Sequence, residues 1–197
     1  MGAQPNDIFI DGLDVFTCAV DRLGTSGWQL PSPCEGWVAL DVLGHVGAAV
    51  RFGTLLLSGG QPVWSPADPP GSAVDVEPLA WWEAIAEPAR RAVAGADLAQ
   101  IVDSPMGRRT VGDGLSFPAL DLFVHSWDLL KSVGVELVVP RRVIDFAHKI
   151  IDPLPEAAVR NRGVFSGEAR APLGASPSQE FIAWTGRDPL WSWSSIN

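Results

Sequence analysis

Residues 38–58, VALDVLGHVGAAVRFGTLLLS, decide the fold class. Val38, Val42, Val46, Ala49, Phe52 and Leu56 recur every three or four positions, which lays one apolar stripe along a helix. Gly59-Gly60 ends it. A second strong helix reads from 117–133, FPALDLFVHSWDLLKSV, with Gly134 as its stop. Outward from these two, residues 7–23 place Phe9, Ile10, Leu13, Phe16, Val20 and Leu23 at helical spacing, with Asn6 as N-cap and Gly24 beyond the end. Residues 77–96 predict a third long helix, with Pro78 harmless in its first turn and Pro88 expected to kink or split it. Further helices read from 141–151 and, ending at Gly186, from 178–185.

The segments between are as informative. Residues 27–37 form an ordered loop, and 61–76, rich in Pro, Gly, Ser and Asp, a long crossover. Residues 101–112 predict a short hairpin or extended link. Residues 152–177 read as irregular, with Arg162, Gly163 and Phe165 in a loop. The expected architecture is all-α: an up-down four-helix bundle over 1–151, with a C-terminal extension, 152–197, packed on it.

Composition excludes several function classes. The 197 residues carry 14 basic and 23 acidic side chains, a net charge of −9, with no basic stripe to attract a phosphate backbone. Nucleic acid is therefore not the expected partner. A 47% hydrophobic content supports a real core. The longest apolar run, 39–50, is interrupted by Asp41 and His45, so no membrane span is expected. No basic residue precedes Arg22, so no signal peptide is read. Two cysteines, Cys18 and Cys34, fit a reducing cytoplasm rather than a disulfide scaffold. A homodimer is compatible with all of this.

Three histidines are present. His45 lies on the inward stripe of its helix. Asp121 and His125 stand four residues apart, about 40° around the axis, and project side by side. Two imidazoles and a carboxylate make a facial set for a divalent ion, with positions left open for water or substrate. The plainer alternative is a solvated stripe of Asp121, His125 and Asp128 facing a hydrogen-bonded core histidine. His148 is assigned no acidic partner and reads as a surface residue.

Three segments, PSPCEGWVALDVLGHV, LDLFVHSWDLL and TGRDP, resemble the DinB-like metal-binding superfamily. More narrowly, they are similar to its actinobacterial branch that includes mycothiol-dependent maleylpyruvate isomerase. The resemblance implies a helical bundle whose metal is held by a histidine of the second helix and a carboxylate-x3-histidine pair, here His45, Asp121 and His125. The ion it implies is zinc, with nickel or iron(II) as alternatives. The implied chemistry is addition or transfer of a low-molecular-weight thiol such as mycothiol to a small electrophile; a variant hydrolyses an amide or ester without thiol. The alternative class is a metal-binding or interaction protein without turnover.

Flanking residues complete the expectations. Cys34 reads as a small buried residue packing under the helix start, with a nucleophilic or ligand role as the functional alternative. Trp37 and Trp127 are core or pocket-wall residues, and Trp127 is a candidate wall of a cleft over the site. Asp128 is a second acceptor for a ligand imidazole and the one candidate general base. Arg187 reads as an exposed helix-end arginine, with an anionic substrate as the functional alternative.

Overall fold

The computed structural model describes residues 3–60, 63–103, 107–160 and 165–193. Four long helices dominate: α1 (Pro5–Leu23), α2 (Ala39–Leu57), α3 (Pro78–Ala94) and α4 (Val111–Ser132). α1 and α2 each pack against both α3 and α4, which closes a ring around one apolar core. Three shorter helices follow: α5 (Arg141–Ile151), α6 (Glu156–Arg160) and α7 (Pro177–Trp184). The predicted hairpin is a two-stranded antiparallel pair, β1 (Ile101–Val102) with β2 (Arg109–Thr110), in register Ile101 to Thr110. The all-α expectation holds.

Where boundaries differ from the sequence reading, local chemistry gives the reason. α1 starts at Pro5, not after an Asn6 cap, because a proline at the first position has no N–H to leave unpaired. α4 begins six residues before the expected Phe117: the Thr110 side chain accepts the Asp113 N–H at 3.0 Å and caps a helix that carries Pro118 within it. Pro88 does not split α3; it and Ala84, whose carbonyl it leaves without a helical partner, both face solvent. The irregular stretch after α5 holds a helix, α6, that periodicity did not show. Arg162 and Gly163 lie outside the described residues.

α2 is long and apolar enough to cross a membrane by length and composition, its leucines and valines outweighing Asp41 and His45. It serves as a core helix here, with α3 and α4 on its buried positions. The crossover is strapped across it. Residues Pro70–Ala73 form a 3₁₀ turn on α2, and a Cβ at Gly44 would sit 2.0 Å from the Pro70 carbonyl oxygen, so only glycine admits the loop. The Asp41 carboxylate fastens it, accepting the Gly71 N–H at 3.0 Å through one oxygen and the Val38 N–H at 3.1 Å through the other.

Under the ring, Phe16 and Trp82 pack with centroids 4.6 Å apart, and the buried Trp82 indole donates to Thr17 Oγ1 at 2.8 Å. That bond satisfies the one polar atom in an otherwise apolar contact.

A candidate metal centre between two helices and two loops

His45 comes from α2; Asp121 and His125 come from one face of α4, which packs on α2. The structure brings the three together. His45 Nε2 lies 3.1 Å from Asp121 Oδ2, and His125 Nε2 lies 3.5 Å from Asp121 Oδ1. The two imidazoles meet edge to face with centroids 4.8 Å apart. One donor atom from each residue falls within 4.8 Å of the others. For metal–ligand bonds of about 2 Å in a tetrahedral field, donors should stand about 3.3 Å apart. Each histidine already sits near that spacing from one oxygen of Asp121.

Beneath His125 lies a second layer. Its Nδ1 is 2.8 Å from Asp128 Oδ2, so Nδ1–H donates to the carboxylate, and Nε2 faces Asp121. Asp128 is 0% exposed. Its charge is met by Arg187, whose Nε donates to Oδ1 and Nη2 to Oδ2, each at 2.8 Å. Burial pushes the Asp128 carboxyl upward, but the guanidinium and the His125 bond outweigh it and hold it far below the usual carboxylate range. Asp128 thus corrects the sequence reading: a carboxylate so clamped cannot serve as a general base near neutral pH.

Arg187 is likewise not an exposed helix-end residue; its side chain is 14% exposed. The turn after α7 aims it. Gly186, at φ 90°, donates its N–H to the Ala183 carbonyl at 2.9 Å, and the Arg187 N–H reaches Ile182 O at 3.2 Å. This pair of bonds closes the helix and turns the chain back toward the site.

Cys34 and Trp37 come from the loop before α2. Ser32 and Trp37 pair their backbones across it, Ser32 N–H to Trp37 O at 3.0 Å, and Trp37 N–H returns to Cys34 O at 3.0 Å. The tight turn sets Cys34 Sγ 3.2 Å from Asp128 Oδ2, where the thiol donates, and the Trp37 ring 5.2 Å from His45. Burial and the Asp128 charge, against a smaller opposing effect of Arg187, hold the Cys34 thiol well above its ordinary value. Cys34, His125 and Asp128 make a second group close enough to hold an ion. Its carboxylate oxygens already accept from Arg187, His125 and Cys34, and its imidazole nitrogen carries a proton. In the His45 group, among the described residues, the Asp121 carboxylate meets only the group's own two histidines, through the His45 bond at 3.1 Å and His125 at 3.5 Å.

Charges within the first group are matched. Burial lowers the His45 pKa, but Asp121 more than reverses this and raises it above its ordinary value. Burial alone would raise the Asp121 carboxyl, but the two histidines pull it down.

The three residues line a cleft of about 970 Å³, whose walls include Trp37, Phe52, Trp64 and Phe117. Trp127, the expected wall, is 3% exposed, lies in the core and does not line it. The sequence reading missed Trp64, because a tryptophan in a proline-rich loop has no periodic neighbours to place it. It gave no acidic partner to His148, yet Asp152, one turn on, lies 3.2 Å from His148 Nδ1.

Among known proteins, the family model described as the mycothiol maleylpyruvate isomerase N-terminal domain matches residues 11–130. No curated protein and no solved structure matches the chain. The matched span runs from α1 to near the end of α4 and contains His45, Asp121, His125 and Asp128; Arg187 lies beyond it. With that span covering more than half of the sequence, the chain belongs to the mycothiol maleylpyruvate isomerase N-terminal domain family, on an all-α DinB-like fold.

Proposed function

We propose that this protein is a metal-dependent enzyme in which His45, Asp121 and His125 hold a divalent ion, zinc first, and the cleft above them receives a small electrophile and a low-molecular-weight thiol such as mycothiol. The observation that carries the reading is the convergence of three donors while the far nitrogen of His125 is engaged by Asp128. That second-layer carboxylate fixes the tautomer a ligand needs. A bound zinc ion supplies Lewis acidity and lowers the pKa of a thiol that reaches it, which makes sulfur nucleophilic at neutral pH.

The protein's own residues have separable tasks. Asp121 contributes the negative charge that two neutral imidazoles lack. Asp128 holds the His125 proton on Nδ1, and Arg187 keeps Asp128 ionised. Cys34, its thiol held protonated, donates to Asp128 and does not compete as a nucleophile. Trp37 walls the cleft beside His45 and limits water there. The same reading takes 152–197 as an extension of the 1–151 domain, small molecules rather than nucleic acid or membrane as partners, and the cytoplasm as the setting.

Elemental analysis of untagged protein tests it: about one equivalent of metal in the wild type, and near none in His45→Ala with helix content retained. Turnover of a model electrophile should then need both metal and added thiol. Equal metal content in the two proteins would remove the assignment.

A further inference from the structure

The metal reading does not account for Trp64. It stands early in the crossover, yet its ring meets His45 edge-on at 5.7 Å and Phe52 edge-on at 6.2 Å. Despite these contacts it stays 45% exposed, and it lines the cleft. An indole packed for stability alone is normally covered, since its large apolar area is what it contributes. The crossover that carries it is anchored downstream, where Gly71 bonds to Asp41 and Pro70 lies over Gly44. Trp37, from a loop closed by its own backbone bonds, approaches the same imidazole to 5.2 Å. Two indoles from two loops thus meet one imidazole of the centre and line one cleft.

The chemistry of the walls narrows the ligand. Indole faces take either organic cations or flat conjugated groups. Arg109, Arg160 and Arg187 outnumber Glu35 and Asp121 among the charged residues lining the same cleft, and a divalent ion held at the centre would add charge of the same sign, which opposes a cationic ligand. A flat conjugated group remains. We infer that Trp64 and Trp37 form an aromatic slot beside the His45–Asp121–His125 centre, that it selects ligands bearing a planar conjugated or aromatic group, and that Trp64 is its specificity-determining residue. This inference rests on the metal reading above.

Two hydroxamates that chelate zinc through the same atoms separate the slot from the centre. Calorimetric Kd values for acetohydroxamate and benzohydroxamate are measured on zinc-loaded protein, each referenced to its affinity for free zinc. Benzohydroxamate should bind about tenfold more tightly, a gain of the size expected for one aromatic contact and its buried area. Trp64→Ala should bring that ratio to about twofold or less without moving the acetohydroxamate Kd, and Trp64→Phe should keep most of it. Quenching of tryptophan emission by benzohydroxamate should shrink in parallel. A wild-type ratio near one, or an unchanged ratio in Trp64→Ala, overturns the slot while leaving the metal centre standing. Equal weakening of both ligands in Trp64→Ala overturns it too, since that is loss of a cover rather than of selectivity. Failure of both hydroxamates to bind the wild type overturns the metal reading and the slot together.

Discussion

Replacing Arg187 with Met tests whether the second layer holds the centre in shape. Arg187 makes two 2.8 Å bonds to a carboxylate with no solvent exposure. Removing one partner of such a pair leaves an uncompensated buried charge, which costs about 3–5 kcal/mol. In a chain of this size each kcal/mol moves the melting temperature by about 2–4 °C, so Arg187→Met should melt roughly 6–20 °C lower. Because the Asp128 pKa is depressed on folding, its contribution is fully present above the unfolded value near 3.9. It is lost only as pH falls through the much lower folded value. The deficit should therefore hold across pH 5–8. Adding Asp128→Asn to Arg187→Met removes the stranded charge and should restore much of the stability. It should not restore zinc affinity, because His125 then lacks its anionic acceptor; a 10–100-fold loss is the usual size of that effect. Urea unfolding of chelator-treated protein and zinc titration read the two quantities separately. An Arg187→Met cost within about 0.5 kcal/mol, the range of an ordinary surface change, would refute the reasoning.

Other perturbations probe the remaining parts. Asp121→Asn should abolish tight metal retention on dialysis. In metal-free protein its stability cost should stay within about 1 kcal/mol, because the pair with His45 is partly exposed. That cost has a pH window: the raised His45 pKa contributes below the unfolded value near 6.5 and is lost as pH rises through the folded one, while Asp121 contributes only above about pH 4. Unfolding should thus separate wild type from Asp121→Asn more at pH 5.5 than at pH 8.5, and a gap that widens at pH 8.5 contradicts the pairing. Gly44→Ala should cost about 1–3 kcal/mol, since its Cβ meets backbone rather than a movable side chain. A shift of tryptophan emission should report the displaced crossover. With iodoacetamide at pH 7.5, exposed Cys18 should label well before Cys34, which mass spectrometry resolves; equal rates would contradict the partly buried, protonated Cys34 thiol.

Sequence periodicity exposed the long helices because each has one face turned to a shared core, and an i,i+4 pair has a fixed relation within a helix. His45, Asp121 and His125 were legible for that reason. Arg187 was not: 59 residues separate it from Asp128, and local pattern shows a glycine stop followed by an arginine, which describes exposed helix ends equally well. Trp64 was hidden in the same way, since a loop has no period. The start of α4 was misplaced because 101–112 read as a hairpin or extended link up to Gly112, whereas the Thr110–Asp113 cap already starts the helix at Val111.

The 59-residue gap between Asp128 and Arg187 also sets an order of events during synthesis. At about 5–20 residues per second, the arginine follows its carboxylate by roughly 3–12 seconds. For that interval the nascent α4 presents Asp128 with no guanidinium to meet it, so this end of the helix stays hydrated or the carboxyl keeps its proton. His125 cannot be held in its final tautomer until the turn at Gly186 has closed. The His125 side chain is therefore among the last parts of the molecule to take its final arrangement.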